Sequence, residues 1–176
     1  MKKSCILLLV LFLVACGFKL RGSYVLPWKS IAINQAENSE LYNLLKRRIE
    51  SSSQTKVFSQ LVKTPQKAEA LLNLSEGRAK NVFSLDTSGR VSQFRLHGSL
   101  NYQAIVKNQL VSSGTINSTR DLSYSDDQAL AKESEEKLLW ESIRQDMVIQ
   151  LLRIMSRAPS TPSPSPSQPL PIPARK

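Results

Sequence analysis

The clearest pattern in the chain is an alternation of apolar and polar positions over residues 91–106. One side of the alternation holds Phe94, Leu96, Gly98, Leu100, Tyr102, Ala104 and Val106. A period of two over this length predicts a strand with one dry face and one wet face, which is typical of an antiparallel sheet. Asp86 and Gly89, just before it, occupy the first and last positions of a predicted type I turn. We therefore expect hairpin partners at about 70–85 and 110–124.

The remaining elements are one short strand and two helices. Residues 29–33 read as a strand, and 57–58 read as a brief extended piece. A helix should begin after an N-cap at Asn38-Ser39 and end near 51–53. Its apolar positions are Leu41, Leu44, Leu45 and Ile49. The order β-α-β-β-β-α then predicts an α+β fold, with two helices packed on one face of a mostly antiparallel four-stranded sheet.

The second helix is longer and follows a capping box at 125–128, with Ser125 as the cap. It carries a single apolar stripe at helical spacing, widened by Leu139, Val148, Leu152 and Met155. The stripe consists of Trp140, Ile143, Met147, Leu151 and Ile154. We expect this stripe to pack on the dry face of the sheet rather than to line a cofactor groove.

The N-terminal residues read as an export signal. Two lysines precede an apolar run over 5–15, which is too short to span a bilayer. Leu13-Val14-Ala15-Cys16 resembles the lipobox of bacterial lipoproteins, in which cleavage precedes a cysteine that is lipidated and then acylated, palmitate being the expected chain. The alternative is an ordinary signal peptide that ends in a chance cysteine. Gly17 at the next position implies release to the outer membrane under the sorting rule of enteric-type lipoproteins.

The C-terminal residues have a different composition from the rest. Seven of the nine prolines fall within 159–173, interleaved with Ser, Thr and Gln. Such a sequence favours an extended, solvated, disordered segment; a polyproline ligand for a cell-wall component is the alternative. The predicted organisation is a signal peptide at 1–15, a lipid anchor and linker at 16–28, one domain at 29–157 and a Pro-rich tail at 158–176.

Composition removes many kinds of chemistry. Both cysteines, Cys5 and Cys16, lie at the N-terminus, so the predicted domain has no disulfide and no thiol nucleophile. His97 is the only histidine, and a solvated or hydrogen-bonded role on the strand is favoured over a catalytic one. No nucleotide-binding, metalloprotease or serine-hydrolase motif occurs. We predict no enzyme, no cofactor and no metal site.

Charge points to an anionic partner. The 24 Lys and Arg exceed the 14 Asp and Glu, giving a formal net charge of +10. For a secreted lipoprotein, lipid phosphates are a better partner than nucleic acid. The alternative is a set of solvated charges. The basic residues in question are Arg78, Lys80, Arg90, Arg95, Lys107, Arg120 and Lys132.

Two local motifs carry a family resemblance. The residues after the lipobox, 16–22, read Cys-Gly-Phe-Lys-Leu-Arg-Gly and resemble the mature start of the LPS-assembly lipoproteins of the LptE (RlpB) family. Residues 129–132, Ala-Leu-Ala-Lys, resemble the family element at the start of its last helix. Together with the expected order of elements, the resemblance covers essentially all of 16–157.

The resemblance implies a lipid-anchored plug, 1:1, inside the LptD β-barrel that inserts lipopolysaccharide at the outer membrane. It implies that the chain helps the barrel assemble, that it lies on the periplasmic side and in the barrel lumen, and that basic residues contact lipopolysaccharide. Lys132 matches the family lysine. The family arginine before the hairpin glycine is not matched, and Arg90 follows Gly89 instead; Arg95 is the third candidate contact.

Two other functions stay open from the residues alone. The first is a periplasm-facing lipoprotein that acts as a scaffold or pilotin for another envelope assembly machine. The second is an enzyme that acts on the cell wall. The polar side of strand 91–106 suits a barrel lumen, and it equally suits the surface of any soluble sheet.

Overall fold

Three long strands form most of the sheet. The computed structural model describes residues 24–60, 68–125 and 129–160. Within these ranges the regular elements are β1 Ser30–Ile33, α1 Glu40–Ser52, β2 Lys56–Ser59, β3 Ala70–Leu85, β4 Val91–Val106, β5 Gln109–Ser123 and α2 Ala129–Met155. Several predictions fall outside the described residues. They concern the signal peptide, Cys16, the capping positions 126–128 and the chain after Ser160.

The sheet of the described residues has five strands in the order β2-β1-β3-β4-β5. β1 pairs in parallel with both β2 and β3, whereas β3, β4 and β5 pair in antiparallel fashion. The α+β class and the two helices are therefore confirmed. The predicted count of four strands is wrong, and the mostly antiparallel arrangement holds only for the three long strands.

The strand that was not predicted is β2, which lies where the sequence predicts only a brief extended piece at 57–58. It has four residues, of which Val57 and Ser59 are buried, and two alternations are too few to reveal a strand period. β1 is buried at three consecutive residues, 31–33, which requires cover on both faces. α1 provides the crossover that a parallel β1–β2 pair needs.

α1 forms where the sequence predicts it. The Oγ of Ser39 accepts a hydrogen bond from the N–H of Tyr42 at 3.1 Å, so the predicted N-cap is confirmed. The helix ends at Ser52, inside the predicted range. Tyr42 is buried on the inner side of the helix, whereas Leu44 is only partly buried. The polar hydroxyl of Tyr42 hides its place in the apolar pattern.

The alternation of β4 is confirmed in the structure. Every second residue from Leu96 to Val106 is buried, and the positions between them are more exposed. Gly89 has a φ of +81°, and its N–H donates to the carbonyl of Asp86, which closes the β3–β4 turn. Lys107 and Asn108 both have positive φ, as the two-residue β4–β5 hairpin requires.

α2 packs its apolar stripe on this buried side. A Cβ added to Gly98 would lie only 2.3 Å from Cγ2 of Ile143, so helix and strand approach closely there. Trp140 and Ile154, predicted as members of the stripe, are only partly buried. The most buried line is Ile143, Met147, Val148, Leu151, Leu152 and Met155. The buried line differs from the predicted stripe because α2 contacts α1 as well as the sheet.

The core extends N-terminal to the predicted start of the domain at residue 29. Leu26 and Trp28 are both buried in the same core as the helices and strands. The carbonyl of Trp28 accepts a hydrogen bond from the Oγ1 of Thr55 at 2.8 Å. These contacts fix the last residues of the predicted anchor and linker segment, 16–28, to one end of the sheet.

Candidate functional site

The sheet has two ends with different character. We call the end where β1 pairs with residues 70–72 of β3 the base, and the turn region 82–90 between β3 and β4 the tip. Strands rise by about 3.3 Å per residue, so the tip lies roughly 40 Å from Leu72 at the base. The long hairpin therefore projects well beyond the short strands.

We call the side of β3–β5 away from α2, between Asn73 and Asn81 of β3, the open face; the apolar Leu71 and Ile105 continue the same side toward the base. Cross-strand partners point to the same side, so the register identifies its members. They are Asn73, Ser75, Gly77, Ala79, Asn81, Arg95, His97, Ser99, Asn101, Gln103, Ser113, Thr115, Asn117, Thr119 and Asp121. Eleven of the fifteen are polar and uncharged, Gly77 and Ala79 are small, and Arg95 and Asp121 are charged. The face can therefore offer many hydrogen bonds to a polar surface and needs few counter-ions.

One ion pair interrupts the open face near the tip. Nε and Nη2 of Arg95 donate to the two carboxylate oxygens of Asp121 at 2.7 and 2.9 Å. These hydrogen bonds lower the pKa of Asp121 and raise that of Arg95. The guanidinium also lies 3.5 Å from the ring centre of Phe83. Arg95, a predicted lipid contact, is therefore engaged on two sides.

The tip itself is apolar and exposed. Val82, Phe83 and Leu85 each leave about half or more of their surface in solvent. The turn that follows is held by Asp86, whose Oδ1 accepts hydrogen bonds from the hydroxyl and N–H of Ser88 and from the N–H of Arg90. The hydroxyl bond is the main reason why the pKa of Asp86 is lowered. An ordered turn thus presents apolar side chains outward.

Of the three predicted lipid contacts, Arg90 is the one whose side chain is not held in an ion pair with a described residue. Its backbone belongs to the Asp86 turn, its side chain is exposed, and it forms no ion pair with any described residue. It lies beside the exposed apolar residues of the tip. A guanidinium in this position can meet an external anion without first breaking an internal bond.

Lys132 lies on the helix side of the sheet and is already paired. Its Nζ is 2.7 Å from Oε2 of Glu135, and only 16% of its side chain is exposed. Glu136, which is also within one helical turn of Lys132, has its Oε2 2.6 Å from the Nζ of Lys80 of β3 instead. The three predicted contacts therefore share the tip half of the molecule but not one patch, because Arg95 is on the open face and Lys132 is on the opposite side.

Sequence reasoning missed a set of ion pairs under α2. The Nη1 of Arg144 is 2.5 Å from Oε2 of Glu40, and its Nε is 3.4 Å from Oε1 of Glu76, so one buried guanidinium joins α2, α1 and β3. Arg120 pairs with Asp146 in the same layer. A charged residue directly after the buried Ile143 was the only available signal. These ion pairs connect α2 to α1 and to the sheet.

A pocket lies beside this layer. It has a volume of about 380 Å³ and mixes carboxylates with Arg78, Lys137 and the Trp140 ring. Arg78 stacks 5.4 Å from that ring. His97 lies on the open face, between Ala79 and Thr119. Among residues 24–60, 68–125 and 129–160, no group of three His, Cys, Asp or Glu side chains could hold a metal ion.

The titration of the Glu136 carboxylate tests the ion pairs between α2 and the sheet. Burial alone would raise the pKa of Glu136, but hydrogen bonds from Lys80 and Trp140 lower it below the ordinary value of 4.5. Its contribution to stability is therefore present above that value and is lost as the pH falls below it. Lys80→Met should raise the titration midpoint of Glu136, measured by carboxyl ¹³C NMR. Lys132→Met is the matched control and should leave the midpoint unchanged, since Lys132 pairs with Glu135; an equal shift in both variants would contradict this assignment.

Comparison with known proteins decides the family. The family model of LptE, described as lipopolysaccharide-assembly, matches residues 28–155. The chain belongs to the LptE family. The match includes the tip, the open face and Lys132, whereas Cys16 lies before it.

Solved structures agree with the family. The solution structure of uncharacterized lipoprotein B from Nitrosomonas europaea is 33% identical to this LptE-family chain, covering 80% of it and 90% of its own length with a TM-score of 0.64. Rare lipoprotein B from Shewanella oneidensis is 20% identical over 72% and 93%, with a TM-score of 0.59. A minor lipoprotein from Acinetobacter baumannii is 15% identical over 75% and 95%, with a TM-score of 0.58. The last two support the fold alone.

Two further observations complete the comparison. No curated protein matches the chain at a significant level. Within the part of the LptE-family chain that the structure describes, neither helix is long and apolar enough to cross a membrane.

Proposed function

We propose that this LptE-family chain is an outer-membrane lipoprotein that occupies the lumen of the LptD β-barrel in a 1:1 complex. In this role it helps the barrel assemble and assists the insertion of lipopolysaccharide at the cell surface. The family gives lipopolysaccharide assembly. The barrel, the lipid anchor and the lipid contacts are the finer parts of the proposal, and each rests on a different feature of the chain.

The main support for the plug proposal is that the open face is polar and carries almost no charge. Barrel lumens are lined by polar side chains, and a plug must satisfy them without burying unpaired charge. Thirteen of the fifteen positions of the open face carry no formal charge with His97 neutral, and the other two, Arg95 and Asp121, neutralise each other. Hydroxyl and amide side chains such as those of Thr115 and Asn101 donate and accept hydrogen bonds, so they adapt to a polar wall.

The position of the anchor fits an elongated plug. Leu26 and Trp28 fix the start of the described chain at the base. Cys16 precedes Tyr24 by eight residues, which span at most about 29 Å. The tip lies roughly 40 Å away from the base, which exceeds the ~30 Å hydrocarbon core of a bilayer. With the lipid in the periplasmic leaflet, the hairpin is long enough to extend along a membrane-spanning barrel.

Lipopolysaccharide contact belongs to the tip in this proposal. Lipid A combines acyl chains with phosphates, and the tip combines exposed apolar side chains with the free guanidinium of Arg90. Lys132 and Arg95 serve the same ligand less directly, because each must first leave its carboxylate partner. Arg90 is therefore the strongest of the three contacts.

Co-purification from detergent-solubilised outer membranes tests the proposal. We expect the tagged chain to bring down LptD in equimolar amount. Depletion of the chain should lower the oxidised, mature form of the barrel and make cells permeable to large hydrophobic antibiotics. An unchanged LptD level with an intact permeability barrier would favour the scaffold or pilotin function instead.

The anchor makes a prediction of its own. Cys16→Ser should leave a product that takes up no labelled fatty acid, because the thioether and the new N-terminal amine can no longer form. Cys5→Ser is the matched control, since the expected cleavage removes residue 5, and it should be labelled as the parent is. Palmitate incorporation into the Cys16 variant would contradict the lipoprotein anchor.

The lipid contacts can be ranked by charge reversal. Arg90→Glu should weaken lipopolysaccharide binding several-fold at low ionic strength, and the loss should shrink at about 0.15 M salt, because exposed charges are screened. Lys132→Asp should weaken it less, since it disturbs a cation that is already paired with Glu135. Binding is measured by titration in detergent micelles. An Arg90 variant that binds as the parent does at low salt would remove the tip from the lipid site.

A further inference from the structure

A second recess lies at the base, away from the tip and the open face. It is a groove of about 670 Å³ whose lining comes from four separate parts of the chain. It is lined by Pro27, Trp28, Lys29, Ser30, Ala68, Glu69, Val106, Lys107 and Ser160. The volume is in the range of small-ligand sites, and Pro27, Trp28, Ala68 and Val106 give it an apolar lining.

The chain itself enters this groove at its C-terminal end. Ser160 is the last described residue, and it belongs to the lining. The next sixteen residues, 161–176, contain six prolines. Whatever conformation they take, their first residues start at the wall of the groove. A tethered segment reaches a neighbouring site at high effective concentration, so even weak affinity would keep it bound.

The lining also suits a proline-rich chain. Polyproline II segments bind grooves with aromatic lining, because they lose little entropy on binding and leave every carbonyl free. Trp28 belongs to this lining, and its ring lies almost wholly beneath the surface of the groove. It is 3% exposed, and its indole Nε1 is buried with no hydrogen-bond partner among the described residues. Unpaired buried donors of this kind are uncommon, and carbonyl oxygens are the usual acceptors.

We infer that the groove is a binding site for a polyproline II segment and that its occupant is the chain's own proximal segment, 161–166. Three prolines, Pro162, Pro164 and Pro166, alternate with Ser directly after Thr161. A polyproline II chain rises about 3.1 Å per residue, so six residues extend roughly 19 Å. The distal prolines, Pro169, Pro171 and Pro173, lie further along and are not needed to fill the groove.

The two tryptophans make the test specific. The full chain is labelled with 5-fluorotryptophan in detergent solution and observed by ¹⁹F NMR. Trp28 reports on the groove, and Trp140, which lies in the pocket under α2, is the internal control. Trp140→Phe assigns the two resonances. Truncation after Ser160 removes no described residue, so the fold is kept and is checked by circular dichroism.

The inference predicts a shift of the Trp28 resonance on truncation with no shift of Trp140. Replacing Pro162, Pro164 and Pro166 by Ser should reproduce that shift, and replacing Pro169, Pro171 and Pro173 by Ser should not. A synthetic peptide of residues 161–176, added in excess to the truncated chain, should restore the original resonance. An identical Trp28 resonance in full and truncated chains would overturn the inference and leave the groove to another segment or to solvent. Equal shifts from the proximal and distal variants would overturn the assigned segment.

Discussion

Two carboxylates on the open face should abolish the complex with LptD while leaving the fold intact. The variant Ser75→Glu/Asn117→Glu places one charge on each outer strand of the three, at exposed positions that are not directly paired with each other. A barrel wall that packs on this face would bury both charges without partners, and each such burial costs a few kcal/mol. We therefore expect recovery of LptD in co-purification to fall more than tenfold.

The control for this variant carries the same change in charge elsewhere. Ser51→Glu/Gln54→Glu places two carboxylates at exposed positions at the end of α1 and just after it, away from the open face. Its LptD recovery should remain close to that of the parent. Equal losses in both variants would show that net charge matters rather than the open face, and equal recovery in both would exclude the face from the interface.

Gly98→Ala adds only one methyl group, yet it should markedly lower the free energy of unfolding. The added Cβ would lie 2.3 Å from Cγ2 of Ile143 and 3.3 Å from Cε of Met147, both in the buried layer between β4 and α2. Overpacking of this kind costs about 1–3 kcal/mol, because a helix must shift against a sheet. The free energy of unfolding is measured by urea denaturation with equal m-values.

Two companion variants separate this clash from the general effect of losing a glycine. Gly77→Ala puts a Cβ 2.6 Å from the Oγ of Ser99, which is an exposed-side hydroxyl that can rotate away, so the change should be small. Ile143→Ala removes the atom that clashes, and combined with Gly98→Ala it should destabilise less than the sum of the two single changes. Additive effects would contradict the close approach of α2 to β4.

The sequence predicts those parts of the fold that repeat a pattern over many residues. β4 shows its alternation over residues 94–106, and α1 shows both a cap at Ser39 and an apolar period. β2 has only four residues, so its pairing with β1 is a tertiary fact that no local period records. The buried line of α2 also differs from the predicted stripe for this reason, since it depends on a tertiary contact with α1.

The candidate site is likewise predicted only in part from the sequence. The polar side of β4 is visible in the sequence, and with its neighbours it becomes the open face. The partners of charged side chains are not visible. Lys132 could pair with Glu135 or Glu136, and the structure gives it Glu135 because Lys80 of β3 holds Glu136. The groove at the base joins four stretches that lie far apart in the chain, so its existence depends on the fold.

The most direct test of the plug is site-specific crosslinking in living cells. A photoreactive amino acid at Asn101, in the centre of the open face, should crosslink to LptD on irradiation. The same group at Arg48, exposed on α1, is the matched control and should give far less product. An Asn101 crosslink to LptD with little from Arg48 is the predicted result. Crosslinks from Asn101 to another envelope protein, or none at all, would contradict the account.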